Sequence, residues 1–224
     1  MSGIAIVTGG SRGIGRSIAE ALLAEGWKVW TCSRHSEGSL EGAQHRAVDV
    51  RDQGKVEAFV KEVADAEGRI DCLVNNAGLG HFAPVDEITG DQFREVIETN
   101  LNGCFYFLRA VAPAMKKQGA GWIINIASLA AKNPFEGGSA YNASKFGLLG
   151  MSEAAMLDLR PHGIRVASIM PGSVATDFGR GQHGDGSWKL QPADIASMVL
   201  HLLSYPDNAL PSRIEMRPSK PPGK

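Results

Sequence analysis

Short runs of β-branched and apolar residues alternate along the chain with longer stretches in which apolar positions recur every three or four residues. The short runs predict strands at Ile4–Thr8, Lys28–Cys32, Arg46–Val50, Ile70–Val74, Trp122–Ala127, Ile164–Ile169 and Ala209–Met216. The longer stretches predict helices over Ile14–Glu25, Val56–Glu67, Asp91–Lys117, Ser139–Leu159 and Ala193–Leu203. Strands that alternate with helices imply an α/β fold, a parallel sheet covered on both faces. The 224 residues fit one such domain, and no repeat or interdomain linker interrupts them. Residues 1–217 are expected to form that domain. The Pro- and Lys-rich residues 218–224 are expected to form a flexible tail.

Charge narrows the partners. The formal net charge is −1, from 23 basic and 24 acidic residues, which favours neither nucleic acid nor an anionic membrane. No apolar stretch approaches the roughly 20 residues of a membrane span, and the first strand follows the start without a signal-peptide pattern. A cytoplasmic location is the expectation. The three cysteines, Cys32, Cys72 and Cys104, are widely spaced in apolar contexts and read as packing residues. No His, Cys and carboxylate cluster predicts a metal site.

The candidate chemistry begins where strand one hands over to helix one. Thr8-Gly9-Gly10-Ser11-Arg12-Gly13-Ile14-Gly15 is a glycine turn in that first βα unit. Such a turn lets phosphate approach backbone N–H groups and packs helix against strand. The helix N-terminus adds unpaired N–H groups and a positive dipole end. This is a dinucleotide site, with Gly9, Ser11, Arg12, Gly13, Ile14 and Gly15 as its contacts. Strand two ends in Ser33-Arg34 without the Asp or Glu that would bond a ribose 2′-hydroxyl. Arg34, with Arg12 as a second cation, can hold a 2′-phosphate instead, which favours NADP(H) over NAD.

Tyr141 and Lys145 stand one helical turn apart on a shared face. A phenol ordinarily ionises near pH 10. A cation about 4 Å away stabilises the phenolate by roughly 4 kcal/mol at an effective dielectric near 20, enough to bring it towards neutrality. Ser128 follows the apolar run Ile123–Ala127, so it is expected at the carboxyl end of a parallel strand, where ligands bind. Its hydroxyl can donate to a carbonyl oxygen that gains charge.

Taken together, the Thr8–Gly15 turn, Asn75-Asn76-Ala77-Gly78, Asn100, Ser128, Tyr141-Asn142-Ala143-Ser144-Lys145 and Pro171-Gly172 resemble the short-chain dehydrogenase/reductase family over nearly the whole chain. Within it the chain is most similar to 3-oxoacyl-carrier-protein reductases and related ketone reductases. The resemblance implies a single Rossmann-type, doubly wound sheet of about seven strands. It also implies hydride exchange with a ketone, aldehyde or alcohol, and a homodimer or homotetramer. It gives Asn100, Ser128, Tyr141 and Lys145 as the catalytic set, with Asn100 distorting its helix and feeding protons to the lysine. Asp49 and Val50 would meet the adenine ring, and Asn75, Ala77 and Gly78 the ribose. Pro171 and Gly172 would meet the nicotinamide amide, Val174 and Thr176 the phosphates, and Tyr141 and Lys145 the cofactor as well.

The substrate stays open between acyl thioesters, free ketones and aldehydes. A segment from Asp177 to Gln191, rich in glycine (Gly179, Gly181, Gly184, Gly186), occupies the position of a substrate lid. Its glycines predict mobility and an open pocket, with Phe178 and Trp188 as its large apolar groups. The apolar residues Leu101, Phe105, Leu108, Leu148 and Met151 suggest a helix-pair interface between subunits, or plain core. Of the six histidines only His81 falls near the expected pocket. A non-catalytic NADP-binding sensor on the same fold would be expected to lose the tyrosine or the lysine, and both are here.

Overall fold

The computed structural model describes residues 2–35, 40–178 and 187–220. Seven parallel strands form one sheet: β1 (Ile4–Thr8), β2 (Lys28–Ser33), β3 (Gln44–Ala47), β4 (Cys72–Asn75), β5 (Gly121–Ile126), β6 (Ile164–Pro171) and β7 (Arg213–Met216). Their order is β3-β2-β1-β4-β5-β6-β7. Among the described residues six α-helices cover it: α1 (Gly13–Ala24), α2 (Gln53–Glu67), α3 (Gly90–Ile97), α4 (Gly103–Gln118), α5 (Ser139–Leu159) and α6 (Pro192–Leu203). Every residue of β1, β4 and β5 is buried, as expected of strands packed on both faces. Phe59 of α2, Phe107, Val111 and Met115 of α4 and Leu159 of α5 fill one side. Ile18 and Leu22 of α1 and Ile195, Val199 and Leu202 of α6 fill the other.

The chain order reverses between β1 and β4, both of which end under the same crevice. Ligands bind at such a switch point in open α/β sheets.

Three boundaries differ from the pattern-based expectation. The third strand is Gln44–Ala47 rather than Arg46–Val50. It is an edge strand paired to β2 alone, so its residues stay half-exposed, while the β-branched Val48 and Val50 leave the ladder and are buried beyond it. The last strand is shorter at its start, Arg213–Met216, because Pro211 cannot donate to the ladder. The helix expected over Asp91–Lys117 is broken by a π turn at Glu98–Asn102 that separates α3 from α4. Insertions of this kind occur often at functional sites.

The apolar residues singled out on the two long helices divide. Leu108 and Leu148 are core, Leu101 and Met151 pack partly buried against it, and Phe105 is 44% exposed, as is the neighbouring-helix residue Phe146 at 45%. All three cysteines are free and buried, and burial pushes Cys32 up to about 12 and Cys104 up to about 11. Among the described residues no helix is long and apolar enough to cross a membrane, and no cluster of three His, Cys, Asp or Glu could hold a metal ion.

Candidate active site

The crevice above β1 and β4 opens into a cavity of about 1390 Å³, larger than the usual pocket of roughly 300–1,000 Å³ for a single small ligand. The glycine turn forms one wall. Gly9 holds φ 67°, a left-handed conformation that suits glycine. A Cβ on Gly15 would run into the Gly9 carbonyl and the Asn76 amide, so α1 lies directly against the turn. The Asn76 amide donates to the Thr8 carbonyl at 2.9 Å, and the Thr8 hydroxyl accepts from the Asn76 and Ala77 N–H groups, both at 2.9 Å. The ends of β1 and β4 are thereby locked together. Helix α1 begins at Arg12 with no side-chain cap, which leaves its first N–H groups for an anion.

The floor of the cavity carries the reactive groups. Lys145 is buried, and its Nζ donates to the Ile126 carbonyl at 2.9 Å, at the carboxyl end of β5. Ser128 follows that strand, and its Oγ accepts from the Ala130 N–H at 3.1 Å. Tyr141 lies one turn before Lys145 on α5, its ring centroid 5.7 Å from Nζ. Burial pushes the Tyr141 phenol up to about 12, while the hydrogen bond with Ser128 pulls it the other way. Burial likewise lowers Lys145 to about 8, opposed weakly by the Cys104 side chain. In the chain alone, loss of hydration thus outweighs the Ser128 hydrogen bond, and the phenol lies above its ordinary value rather than below it. At neutral pH the phenol keeps its proton and the lysine its charge.

Asn100 sits fully buried inside the π turn. Its Nδ2 donates to the Leu79 carbonyl at 2.8 Å and to Ser144 Oγ at 3.0 Å, and its Oδ1 accepts from the Leu79 N–H at 2.9 Å. Ser144 in turn donates to the Tyr141 carbonyl at 2.8 Å. The π turn therefore ties the loop after β4 to the helix that carries Tyr141 and Lys145. Asn100 does not itself line the cavity.

With this geometry in hand, the likenesses to known proteins fall into place. Residues 3–185 match the family model described as short chain dehydrogenase. The chain belongs to the short-chain dehydrogenase family. A D-threitol dehydrogenase of Mycolicibacterium smegmatis is 37% identical over 222 residues, covering 90% of this chain and 85% of that protein. A Streptomyces coelicolor protein named as a ketoacyl reductase is 34% identical over 236 residues, covering 90% of each. The crystal structure of a metagenomic short-chain oxidoreductase in complex with NADP superimposes with a TM-score of 0.85 at 37% identity, over 97% of both chains. Short-chain dehydrogenases are oxidoreductases that use a nicotinamide cofactor, and the cleft of this one fits such a group: it has a glycine cradle, an uncapped helix start and a long cavity.

This short-chain dehydrogenase brings most of the sequence-derived residues to one cavity. Gly9, Ser11, Arg12, Gly13 and Ile14 line it at the turn. Ser33, Arg34, Asp49 and Val50, taken from the sequence as adenosine contacts, line the same cavity, as do Ala77 and Gly78. Ser128, Tyr141 and Lys145 share the floor with Pro171, Gly172, Val174 and Thr176. Gly15 and Asn75 stand outside. Gly15 packs the helix, and the Asn75 amide is buried, donating to Asn125 Oδ1 at 2.9 Å, while Asn125 donates to Ser152 Oγ at 2.8 Å. The wall residue at this point is Asn76, next in sequence. His81 also stays out of the wall and bonds Glu95 at 2.9 Å.

At the adenosine end Arg34 lies 3.8 Å from Glu95, and Arg51 binds both Asp49 at 2.6 Å and Glu95 at 3.3 Å. The Arg51 hydrogen bond holds the Asp49 carboxyl below the usual carboxylate range. His81, Arg51 and Arg34 together hold Glu95 low, with the His81 hydrogen bond the largest effect. Arg34 is only loosely held and over half exposed.

Two features went unsignalled in the sequence. Phe82 and Phe135 reach Tyr141 from separate loops, with centroids 5.6 and 6.4 Å from its ring. Arg217 and residues 218–220 also line the cavity. The cause is the β6–β7 ladder: Pro171 pairs with Met216, and the Gly172 N–H donates to the Met216 carbonyl at 2.8 Å, which steers the chain to the cleft mouth. Of the lid, Phe178 and Trp188 line the cavity, while Gly179, Gly181, Gly184 and Gly186 lie outside the described residues.

Proposed function

We propose that this protein is an NADPH-dependent carbonyl reductase, competent in reverse as an alcohol dehydrogenase on CH–OH groups. The observation that carries this reading is the buried Lys145, one helical turn from Tyr141 and anchored at the end of β5 next to Ser128, all on the floor of a dinucleotide-sized cleft. Bound in the cleft, the nicotinamide cofactor would supply the hydride. Ser128 and Tyr141 donate hydrogen bonds to the carbonyl oxygen, and Tyr141 gives it a proton. Lys145 holds positive charge beside the phenol and would hold a ribose hydroxyl of the bound cofactor. Asn100 acts as a positioning residue, holding the Leu79 loop and α5 in register on the proton path.

NADP(H) over NAD is supported by Arg34 and Arg12 lining the cleft with no carboxylate at the end of β2. The reductive direction accords with that preference. The substrate is a small-molecule ketone or aldehyde, with an acyl thioester as another carbonyl of the same reactivity. A homodimer or homotetramer is supported by Phe105 and Phe146, large apolar side chains left nearly half exposed on α4 and α5.

The test is the initial rate of NADPH and NADH oxidation against a carbonyl panel across pH. NADPH is expected to be consumed faster than NADH. Lys145 is charged below about 8 and neutral above it, since its pKa sits below the ordinary lysine value. Reduction is therefore expected to hold steady at neutral pH and to fall as pH rises through about 8. Lys145→Arg, whose side chain stays charged, should remove that alkaline limb from whatever rate it retains. NADPH binding with no consumption of any carbonyl would favour the sensor reading instead.

A further inference from the structure

We infer that the substrate half of the cleft is built for a carbonyl compound whose C=O is attached to a ring, an aryl or cyclic ketone, rather than an open-chain polyhydroxy one. This rests on the carbonyl-reductase reading and narrows it to a substrate class.

Three phenylalanines converge on Tyr141 from three different loops. Phe82 follows β4, Phe135 follows β5 and Phe178 follows β6. Their ring centroids lie 5.6, 6.4 and 5.7 Å from that of Tyr141, and Phe82 and Phe135 are 5.8 Å apart. Phe82 meets Tyr141 edge-on at 61°, and the other pairs are tilted at 44° to 52°, so none of the rings stacks flat on its neighbour. All three phenylalanines line the cavity, yet Phe135 and Phe178 remain 44% and 46% exposed. These are large apolar faces that the chain's own core does not cover, presented at the reactive hydroxyl. A flat apolar ligand group covers them, and its carbonyl oxygen then comes within reach of Ser128 and Tyr141.

The arrangement is held from behind. The Phe135 N–H donates to Asn142 Oδ1 at 3.3 Å, and Asn142 Nδ2 donates to the Ala130 carbonyl at 2.7 Å. Asn142 follows Tyr141 directly, so one buried amide fixes the Phe135 loop to the helix that carries the phenol. The Ala83 N–H donates to the Gly137 carbonyl at 3.1 Å, tying the Phe82 loop to the same segment. A Cβ at Gly138 would lie 2.7 Å from the Phe135 ring, which shows how closely the backbone backs it.

Hydroxyl-rich substrates find few partners here. The Asn142 amide is committed to backbone, and Asn133 Nδ2 donates to the Leu129 carbonyl at 3.2 Å. Leu79, Leu129 and Ala130 complete the neighbouring wall. Of the charged wall residues, Arg217 is bonded to Glu215 at 2.9 Å and Lys189 lies over the Trp188 ring, while Asp177 and Lys220 also line the cavity. A substrate hydroxyl placed against the three phenylalanine rings would lose water without gaining a bond.

The test uses the intact chain with NADPH and two ketones of similar size, phenyl methyl ketone and an open-chain polyhydroxy ketone. The phenyl ketone is expected to have a kcat/KM at least tenfold higher. Phe135→Ala and Phe178→Ala should each cut the ratio of the two kcat/KM values by about three- to tenfold, the usual worth of a ring–ring contact, mainly through the KM for the phenyl ketone. Phe93→Ala, on α3 and outside the cleft, serves as the control and should leave the ratio unchanged. Binding of 1-phenylethanol to the chain loaded with NADP⁺, followed by saturation-transfer NMR, supplies a readout that needs no turnover. Preference for the polyhydroxy ketone, an unchanged ratio in both variants, or no 1-phenylethanol binding overturns the inference. If neither ketone is reduced but 1-phenylethanol binds and the two variants lose it, the ring pocket stands and the reductase reading falls.

Discussion

Replacing Tyr141 with Phe is expected to lower kcat/KM for carbonyl reduction by about 10²–10⁴-fold, the range for loss of a positioned general acid. The change removes one oxygen and leaves the ring. Its contacts with Phe82 and Phe178, at 5.6 and 5.7 Å, stay available, so the side chain keeps its place. The lost groups are the bond with Ser128 and the proton itself. In the folded chain burial holds the phenol near 12, which disfavours the phenolate and keeps the donor protonated through the neutral range. Loss of the hydroxyl should therefore show in kcat. NADPH affinity and unfolding midpoint, measured alongside by fluorescence titration and denaturant unfolding, should stay near those of the parent. A folded variant that binds NADPH and keeps more than a tenth of the parent rate would remove Tyr141 from the proton-donor role.

Arg34→Ala is expected to raise the KM for NADPH by roughly 10–100-fold, the worth of a charge-assisted contact to phosphate. The KM for NADH should change little. The expectation depends on how Arg34 is held. It follows β2 directly, lines the cavity wall and lies 3.8 Å from Glu95, a loose contact at a side chain more than half exposed. Glu95 has tighter partners in His81 at 2.9 Å and Arg51 at 3.3 Å, so its charge stays compensated when Arg34 turns away. Steady-state rates with both cofactors separate the outcomes. An equal rise for NADPH and NADH would mean that Arg34 shapes the wall without reading the 2′-phosphate.

The sheet and its connections were legible because parallel strands buried on both faces leave near-continuous apolar runs in sequence, as at Ile4–Thr8 and Gly121–Ile126. Edges were read less well. Val48 and Val50 look like strand residues, but their burial comes from the region beyond the ladder rather than from the sheet. The break at Glu98–Asn102 left no mark in apolar spacing, since a single widened turn hardly shifts the periodicity. Asn100, a poor residue for a helix interior, was its only trace.

At the site, residues tied to chain-local motifs, such as the glycine turn and Tyr141 with Lys145, were found from spacing. Asn75 and Asn76 could not be told apart that way: one amide turns into the core towards Asn125, the other towards the glycine turn. The phenylalanines around Tyr141 come from positions 82, 135 and 178, and only the fold brings them together. The same holds for the place of residues 217–220 on the cavity wall.

The most direct measurement of the central claim is isotopic. The chain is incubated with a ketone and NADPH carrying deuterium at the transferable position of the nicotinamide ring, in ordinary water, and the product alcohol is examined by mass spectrometry and NMR. The account predicts one deuterium on the carbinol carbon, with the hydroxyl proton drawn from solvent through Tyr141. Alcohol formed without deuterium at that carbon, or no alcohol from any ketone while NADPH stays bound, would contradict it.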